Sequence, residues 1–415
     1  MAPDFLLSSS IPVPEVPDIR ILALYPYVLG PDRLGGLVRA RLWIEYLAAR
    51  HEVHLLQIVP FEEMPWVERS ASVRSRVAGW DVLEMPSRTL PANLTSTFQG
   101  VPPAAAYLGQ SVGIERVRAL HDARGFDAAY VEFSLLAEYG KLFRELGTPA
   151  VLACQELPSR RFERDWKSAL GPAGAARLQG RLWLRYEAKA LRRFADLWLI
   201  TPEEQAHAAE RLSIRDTYLF PNVIDAEALA PAEAPPEPRT AGFFGNFAHG
   251  PNVEGLRWLL REVWPEVRAA EPGARLRVYG REAAPDLVEE VERAGCRWVG
   301  YAPDLREATA ENAVGLCPMI SGGGMRGKVL EALALGRPVV ATPIGAEGVH
   351  VEQGLHVAES PGAFAKAILG LWGDPTRSQV EGARASEEVR RRYDAQVVFA
   401  DAEARLTELV RWRRT

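Results

Sequence analysis

The sequence predicts an α/β protein of two Rossmann-like, doubly wound domains facing each other across a cleft, and three observations lead there. Short apolar runs alternate with helical patterns along most of the chain, the signature of parallel sheets covered by helices. A segment rich in Pro and Glu, APAEAPPEPRT (residues 230–240), breaks the alternation near the middle. Beyond it the alternation starts again, so the break reads as an interdomain linker.

The elements can be justified in order. Residues 1–18, MAPDFLLSSSIPVPEVPD, carry no basic leader and only a short apolar run, and read as a Pro-rich disordered tail. IRILALY (residues 19–25) is a buried-strand pattern. A loop with Gly30, Asp32, Arg33, Gly35 and Gly36 follows, then a helical pattern LVRARLWIEYLAARH and a second strand, HEVHLLQIV. Further strands are expected at residues 81–85, 128–133, 150–154, 197–201 and 218–223, closing a first domain over residues 19–229. Past the linker, AGFFGN, RLRVYG, RWVGY, AVGLCPM, PVVAT and LHVAES form a second set of strands separated by helices, a domain over residues 241–373. Residues 374–415 read as helices that cross back to brace the first domain.

Composition excludes several classes. The chain has 415 residues, enough for two cores. A net charge of −5 offers no general attraction to nucleic acid. Cys154, Cys296 and Cys317 sit in or beside apolar runs at spacings that suit neither a metal site nor a disulfide framework, so they read as core thiols in a reducing compartment. No stretch approaches the ~18 apolar residues of a membrane span, and a soluble, cytoplasmic protein is expected.

The segment with most chemistry is GGGMRGKVLEALALGRPVVAT (residues 322–342), at the carboxyl end of one expected strand and the start of a helix. Open parallel sheets bind ligands at such positions. Gly322, Gly323 and Gly324 let backbone N–H groups approach an anion, and the following helix aims its positive end at the same place. Arg326 and Lys328 add positive charge. Glu331 is placed to accept hydrogen bonds from the two hydroxyls of a ribose. The segment reads as a site for a diphosphate and its attached sugar.

Three stretches carry a resemblance to a known family: FFGNFAHGPNVEGLRWLLREVWP (residues 243–265), VGYAPDLREA (residues 299–308) and PMISGGGMRGKVLEALALGRPVVATPIGAEGV (residues 318–349). Their order resembles the donor-binding domain of the GT-B glycosyltransferases, in particular family four, also called group one. The first half is similar more loosely, through its Gly-containing first loop and FPNVID (residues 220–225). The resemblance implies that Glu331 binds the ribose and that Tyr301 touches the nucleotide base. The family places a second Glu eight positions earlier, where this chain has Gly323. It also implies retention of anomeric configuration, with the leaving phosphate taking the acceptor's proton.

Glycosyl transfer from a nucleotide builds negative charge on the departing diphosphate. No Asp-x-Asp motif for a divalent metal occurs in the sequence, and a guanidinium, an ammonium and a helix N-terminus are an adequate substitute. Metal-independent catalysis without a cofactor is therefore expected, with Arg326 and Lys328 as the catalytic cations. His249 either orients the donor or is a solvated loop residue, and Asn246 is a further donor-side candidate. On the acceptor side the candidates are Gly35, Gly36, Arg33 and Asp32 of the first loop, with Gln155 and Glu156 after the strand VLAC. Glu156 is the substitute if a general base is required.

Arg177, Arg181, Arg185 and Lys189, with Arg192 and Arg193 beyond, form one basic helical row. It is either a solvated face or a contact with an anionic lipid surface, aided by Trp183 and Tyr186. RWRRT at the chain end has the same ambiguity. The leading expectation is a hexosyltransferase using a nucleotide-diphosphate sugar and a polysaccharide or glycolipid acceptor. The alternatives are a nucleotide-sugar epimerase and a catalytically silent nucleotide-sugar-binding subunit.

Overall fold

The computed structural model describes residues 19–30, 36–86, 90–167, 173–231, 235–302 and 304–414. The expected tail, and Asp32, Arg33 and Gly35, lie outside them. The chain divides into two compact units, one made of residues up to Pro221 together with the segment from Phe399 onward, the other running from Asn222 to Val398. Among the described residues no helix is long and apolar enough to cross a membrane.

The first unit is built on a parallel sheet of seven strands: β1 (Arg20–Tyr25), β2 (Glu52–Pro60), β3 (Gly79–Met85), β4 (Ala128–Glu132), β5 (Ala150–Cys154), β6 (Asp196–Leu199) and β7 (Tyr218–Leu219). Their order is β3-β2-β1-β4-β5-β6-β7, so the winding reverses between β1 and β4. Central strands such as β4 and β5 are buried along their whole length, because helices cover both faces of a parallel sheet. The last expected strand is cut to two residues: the Phe220 N–H still donates to Leu199 of β6, but its carbonyl accepts from Arg39 and Pro221 beyond it has no N–H to continue the ladder. The Phe220 ring is buried against Trp43 and Trp198.

The helix Gly36–Ala48 lays Ala40, Trp43, Ile44 and Leu47 into this core at helical spacing. The final helix, Ala395–Arg414, adds Phe399 to the same aromatic cluster, 5.2 Å from Trp43. Tyr46 donates to Glu403 at 2.8 Å, and Arg405 grips Asp196 of β6 at 2.6 Å. Trp183 and Tyr186, expected to support a lipid contact, are instead core side chains of this unit. They face inward because the helix Ala173–Ala190 is amphipathic: its outer row of Arg177, Arg181, Arg185 and Lys189 is exposed. Arg192 is occupied by the carbonyls of Ala188, Leu212 and Ser213.

The second unit repeats the plan with six parallel strands: β8 (Glu237–Asn246), β9 (Arg275–Arg281), β10 (Arg297–Gly300), β11 (Asn312–Cys317), β12 (Val339–Ala341) and β13 (Leu355–Val357). The order is β10-β9-β8-β11-β12-β13, with the reversal between β8 and β11. β8 begins at Glu237, so the last residues of the Pro/Glu-rich segment are strand, and residues 232–234 lie outside the described set. Ile224 bridges to Asp394, which joins the start of this unit to the end of its last long helix, Pro375–Tyr393.

Beside the carboxyl end of β5 lies a buried acid that nothing in the sequence pattern announced. Glu187 is fully buried, accepts from the Ser159 N–H at 3.4 Å, and has one oxygen without a partner. Ser159 in turn meets His207 at 2.9 Å. Burial raises the Glu187 carboxyl to about 8 from an ordinary value of 4.5, so the folded chain keeps a proton that the unfolded chain releases. Stability is therefore expected to fall as pH rises from the lower value through the upper one, by a few kcal/mol at most. Urea unfolding at about pH 5 to 9 should show this decline in the parent and a flatter profile in Glu187→Gln; equal slopes would remove Glu187 as its source.

Candidate functional site

The reversal of strand order between β8 and β11 opens a gap at their carboxyl ends, where two connections meet. β8 passes through residues 247–249 into the helix Gly250–Trp258, and β11 passes through the glycine segment into the helix Gly327–Ala334. The two connections touch: a Cβ on Gly255 would stand 2.7 Å from the Pro318 carbonyl oxygen, so only glycine admits this approach.

The glycine segment is held by named bonds. Gly322 and Gly324 have φ of 92° and 74°, the left-handed region that a side chain would strain. The Arg326 guanidinium folds back over the segment and donates to the Gly323 carbonyl at 2.8 Å. Ser321 donates to Glu254 at 2.5 Å, Thr342 donates to the Met319 carbonyl, and the buried Asn222 amide donates to the Met325 carbonyl at 2.9 Å. Arg326 itself is the extended residue that caps the helix Gly327–Ala334.

Lys328, in the first turn, points its ammonium at three neutral partners. Asn252 Oδ1 accepts from it at 2.8 Å, Met319 Sδ lies at 3.9 Å, and the Phe243 ring centre at 4.9 Å. Burial lowers its proton affinity, Arg326 lowers it further, and Cys317 and Glu331 oppose. Glu331, one turn on, is half-buried and makes no hydrogen bond or ion pair with any described residue. Burial lifts its carboxyl to about 7, against the pull of Lys328. The cluster thus gathers a guanidinium, an ammonium, a helix N-terminus and an unengaged carboxyl, a set suited to an anion carrying hydroxyl groups.

The other expected residues are placed as follows. Gly323 is in the same segment. Asn246 ends β8; its side chain accepts from the Ala248 N–H at 2.9 Å and its carbonyl accepts from Asn252 at 2.7 Å. His249 is the exposed cap of the helix Gly250–Trp258. Tyr301 follows β10, two strands from β8, with its exposed ring 4.8 Å from the Arg281 guanidinium. In the first unit, Gly36 opens the helix Gly36–Ala48, Glu156 pairs with Arg161 at 2.5 Å, and the buried Gln155 donates to Glu132. Among the described residues no three His, Cys, Asp or Glu side chains group as a metal site.

Sequence reasoning missed Asn252, although a polar residue directly after Gly250 and Pro251, in the first turn of a helix bordering the site, was a usable signal. It also missed the buried pair Arg39–Glu132, 2.6 Å apart at the reversal point of the first sheet. The signal there was an arginine one turn before Trp43, on the apolar face of its helix.

Residues 238–374 match the family model "Glycosyl transferases group 1". A curated relative, an uncharacterized 44.6 kDa protein in the cps region of Klebsiella pneumoniae, is 28% identical over 169 residues, which are 38% of this chain. The match spans 43% of that relative's length. Among solved structures, a glycosyltransferase from Rickettsia africae superposes with a TM-score of 0.67 at 10% identity, covering 95% of this chain and 99% of that one. HepE of Anabaena in complex with UDP-glucose gives 0.65 at 14% identity, covering 94% and 100%. TarM gives 0.64 at 9%, covering 94% and 98%. Residues 238–374 are accordingly a glycosyl transferases group 1 domain, in a chain that has the two-sheet GT-B glycosyltransferase fold.

Proposed function

We propose that the chain is a retaining, metal-independent glycosyltransferase that moves a hexosyl unit from a nucleotide-diphosphate sugar to a hydroxyl acceptor on a polysaccharide or glycolipid. The observation that carries this reading is the pair of cations at the start of the helix Gly327–Ala334, of which Lys328 has only neutral hydrogen-bond partners. As the bond from the anomeric carbon to the diphosphate breaks, charge accumulates on the phosphate oxygens, and Arg326 and Lys328 stabilise it. The new bond to the acceptor oxygen forms on the same face, and the acceptor proton passes to the leaving phosphate. Gly322, Gly323 and Gly324 admit the phosphates to the backbone, and Glu331 accepts from the ribose hydroxyls. Tyr301 stands at the base end, with Asn246 and His249 at the donor sugar. Gly35, Gly36, Arg33 and Glu156 are the acceptor-side residues.

Support comes from the group 1 domain and from HepE, whose structures hold UDP and UDP-glucose. TarM has been crystallised with UDP and a carbohydrate, and the curated relative lies in a cps region, which favours a saccharide acceptor. The absence of an Asp-x-Asp motif supports charge neutralisation by side chains alone. We place the protein in the cytoplasm, where its three buried free thiols are at home. The exposed row Arg177, Arg181, Arg185 and Lys189 suits peripheral contact with an anionic membrane face.

Incubating the chain with a panel of nucleotide sugars and following nucleotide release tests the reading. A transferase shows slow hydrolysis of its donor; an epimerase changes the sugar without release, and a silent subunit only binds. Arg326→Ala and Lys328→Ala should each lower turnover by about a hundredfold while melting like the parent; near-parental rates would refute the assignment. The ionised Glu331 carboxylate accepts from both hydroxyls more strongly than the protonated acid does, so donor affinity should rise as pH passes through about 7. Calorimetric titration of donor into Glu331→Gln should give weaker binding without that rise.

A further inference from the structure

We infer that Asn252 is a positioning residue that aims the Lys328 ammonium at the diphosphate while leaving its charge uncompensated. The inference rests on the anion-binding reading of residues 322–328.

Asn252 is buried and both ends of its amide are engaged. Nδ2 donates to the Asn246 carbonyl at the end of β8 at 2.7 Å, and Oδ1 accepts from Lys328 at 2.8 Å. Those partners fix which end of the amide is which, since a carbonyl can only accept and an ammonium can only donate. The amide is therefore a strut between two chain segments 76 positions apart. Glycine at 245 makes room for it, because a Cβ there would stand 3.2 Å from the Asn252 side chain.

The chemical identity of the strut matters. A carboxylate in the same place would hold the ammonium more strongly and cancel its charge before any phosphate arrived. A neutral carbonyl oxygen still favours the ammonium form over the amine, so it resists the burial that works against the charge. The other groups facing Lys328 are Phe243 from β8, Cys317 from β11, Met319 and Arg326 from the glycine segment, and Glu331 from its own helix. Glu331 is the one carboxyl among these, and it sits one turn away, in no ion pair with Lys328.

The test is calorimetric titration of inorganic pyrophosphate into the full chain in metal-free buffer, at pH values from about 6 to 10, which spans the ordinary Lys and Glu ranges. Comparing variants cancels the titration of pyrophosphate itself. Asn252→Ala should bind about tenfold more weakly near neutrality, with its alkaline loss of binding moved down by about one pH unit. Asn252→Asp should also bind more weakly near neutrality, but with the alkaline loss moved upward, because a carboxylate raises the lysine. Opposite shifts in the two variants are the signature of a residue acting on the ammonium, and melting curves identify a variant that is merely unfolded. Lys328→Met separates the two levels of the claim. If it binds pyrophosphate like the parent, the anion-binding reading itself fails. If it loses binding while the folded Asn252 variants keep parental affinity, or shift their alkaline loss in the same direction, Asn252 is structural and the inference is overturned.

Discussion

A charged amine inside a folded domain must be held by something, and what holds Lys328 is neutral. An amide oxygen, a thioether and an aromatic face surround the ammonium. Each contact is weaker than an ion pair, and burial works against the charge. That arrangement makes little sense as a device for stability, since a carboxylate or an apolar residue would serve better. It makes sense if the missing negative charge arrives from outside. The left-handed glycines, the fold-back of Arg326 and the close approach at Gly255 fix the course of the chain beside the ammonium.

The two units illustrate the point by contrast. Both are parallel sheets whose strand order reverses once, and each reversal leaves a gap where an arginine or lysine from the next helix reaches in. In the first unit the cation is Arg39, and it is closed off: Glu132 holds one nitrogen at 2.6 Å and the Phe220 carbonyl holds another, all of them buried. Gln155 and Tyr130 complete the same polar knot. In the second unit Lys328 finds no such carboxylate. One fold plan thus yields a neutralised structural centre in one half and an uncompensated cationic centre in the other. The difference lies in whether a strand ends in an acid.

Glu331 and Lys328 also show how a site sets its own proton affinities. The helix places the two side chains about one turn apart, and the surrounding apolar wall disfavours both charges. The carboxyl is pushed up and the ammonium down, toward the range in which either can respond to a bound ligand. Neither shift could be deduced from spacing alone, because spacing says nothing about the wall.

What the sequence determined by itself was everything that repeats locally. Apolar runs such as IRILALY and AVLAC placed strands in the first half, the Pro/Glu-rich break marked the place where the pattern restarts, and the segment from Gly322 to Glu331 set side by side in the chain the residue types on which the proposed anion site rests. Strand ends were less legible, as with β7, which stops at Leu219 where the Phe220 carbonyl is taken by the distant Arg39 and Pro221 follows. The tertiary structure alone decided which charges are satisfied. It turned Trp183 and Tyr186 inward, gave Arg39 its acid, buried Glu187, and set Asn252 against Lys328. These pairings join residues tens of positions apart, and burial depends on elements that no local period encodes, so they exist only once both sheets have formed.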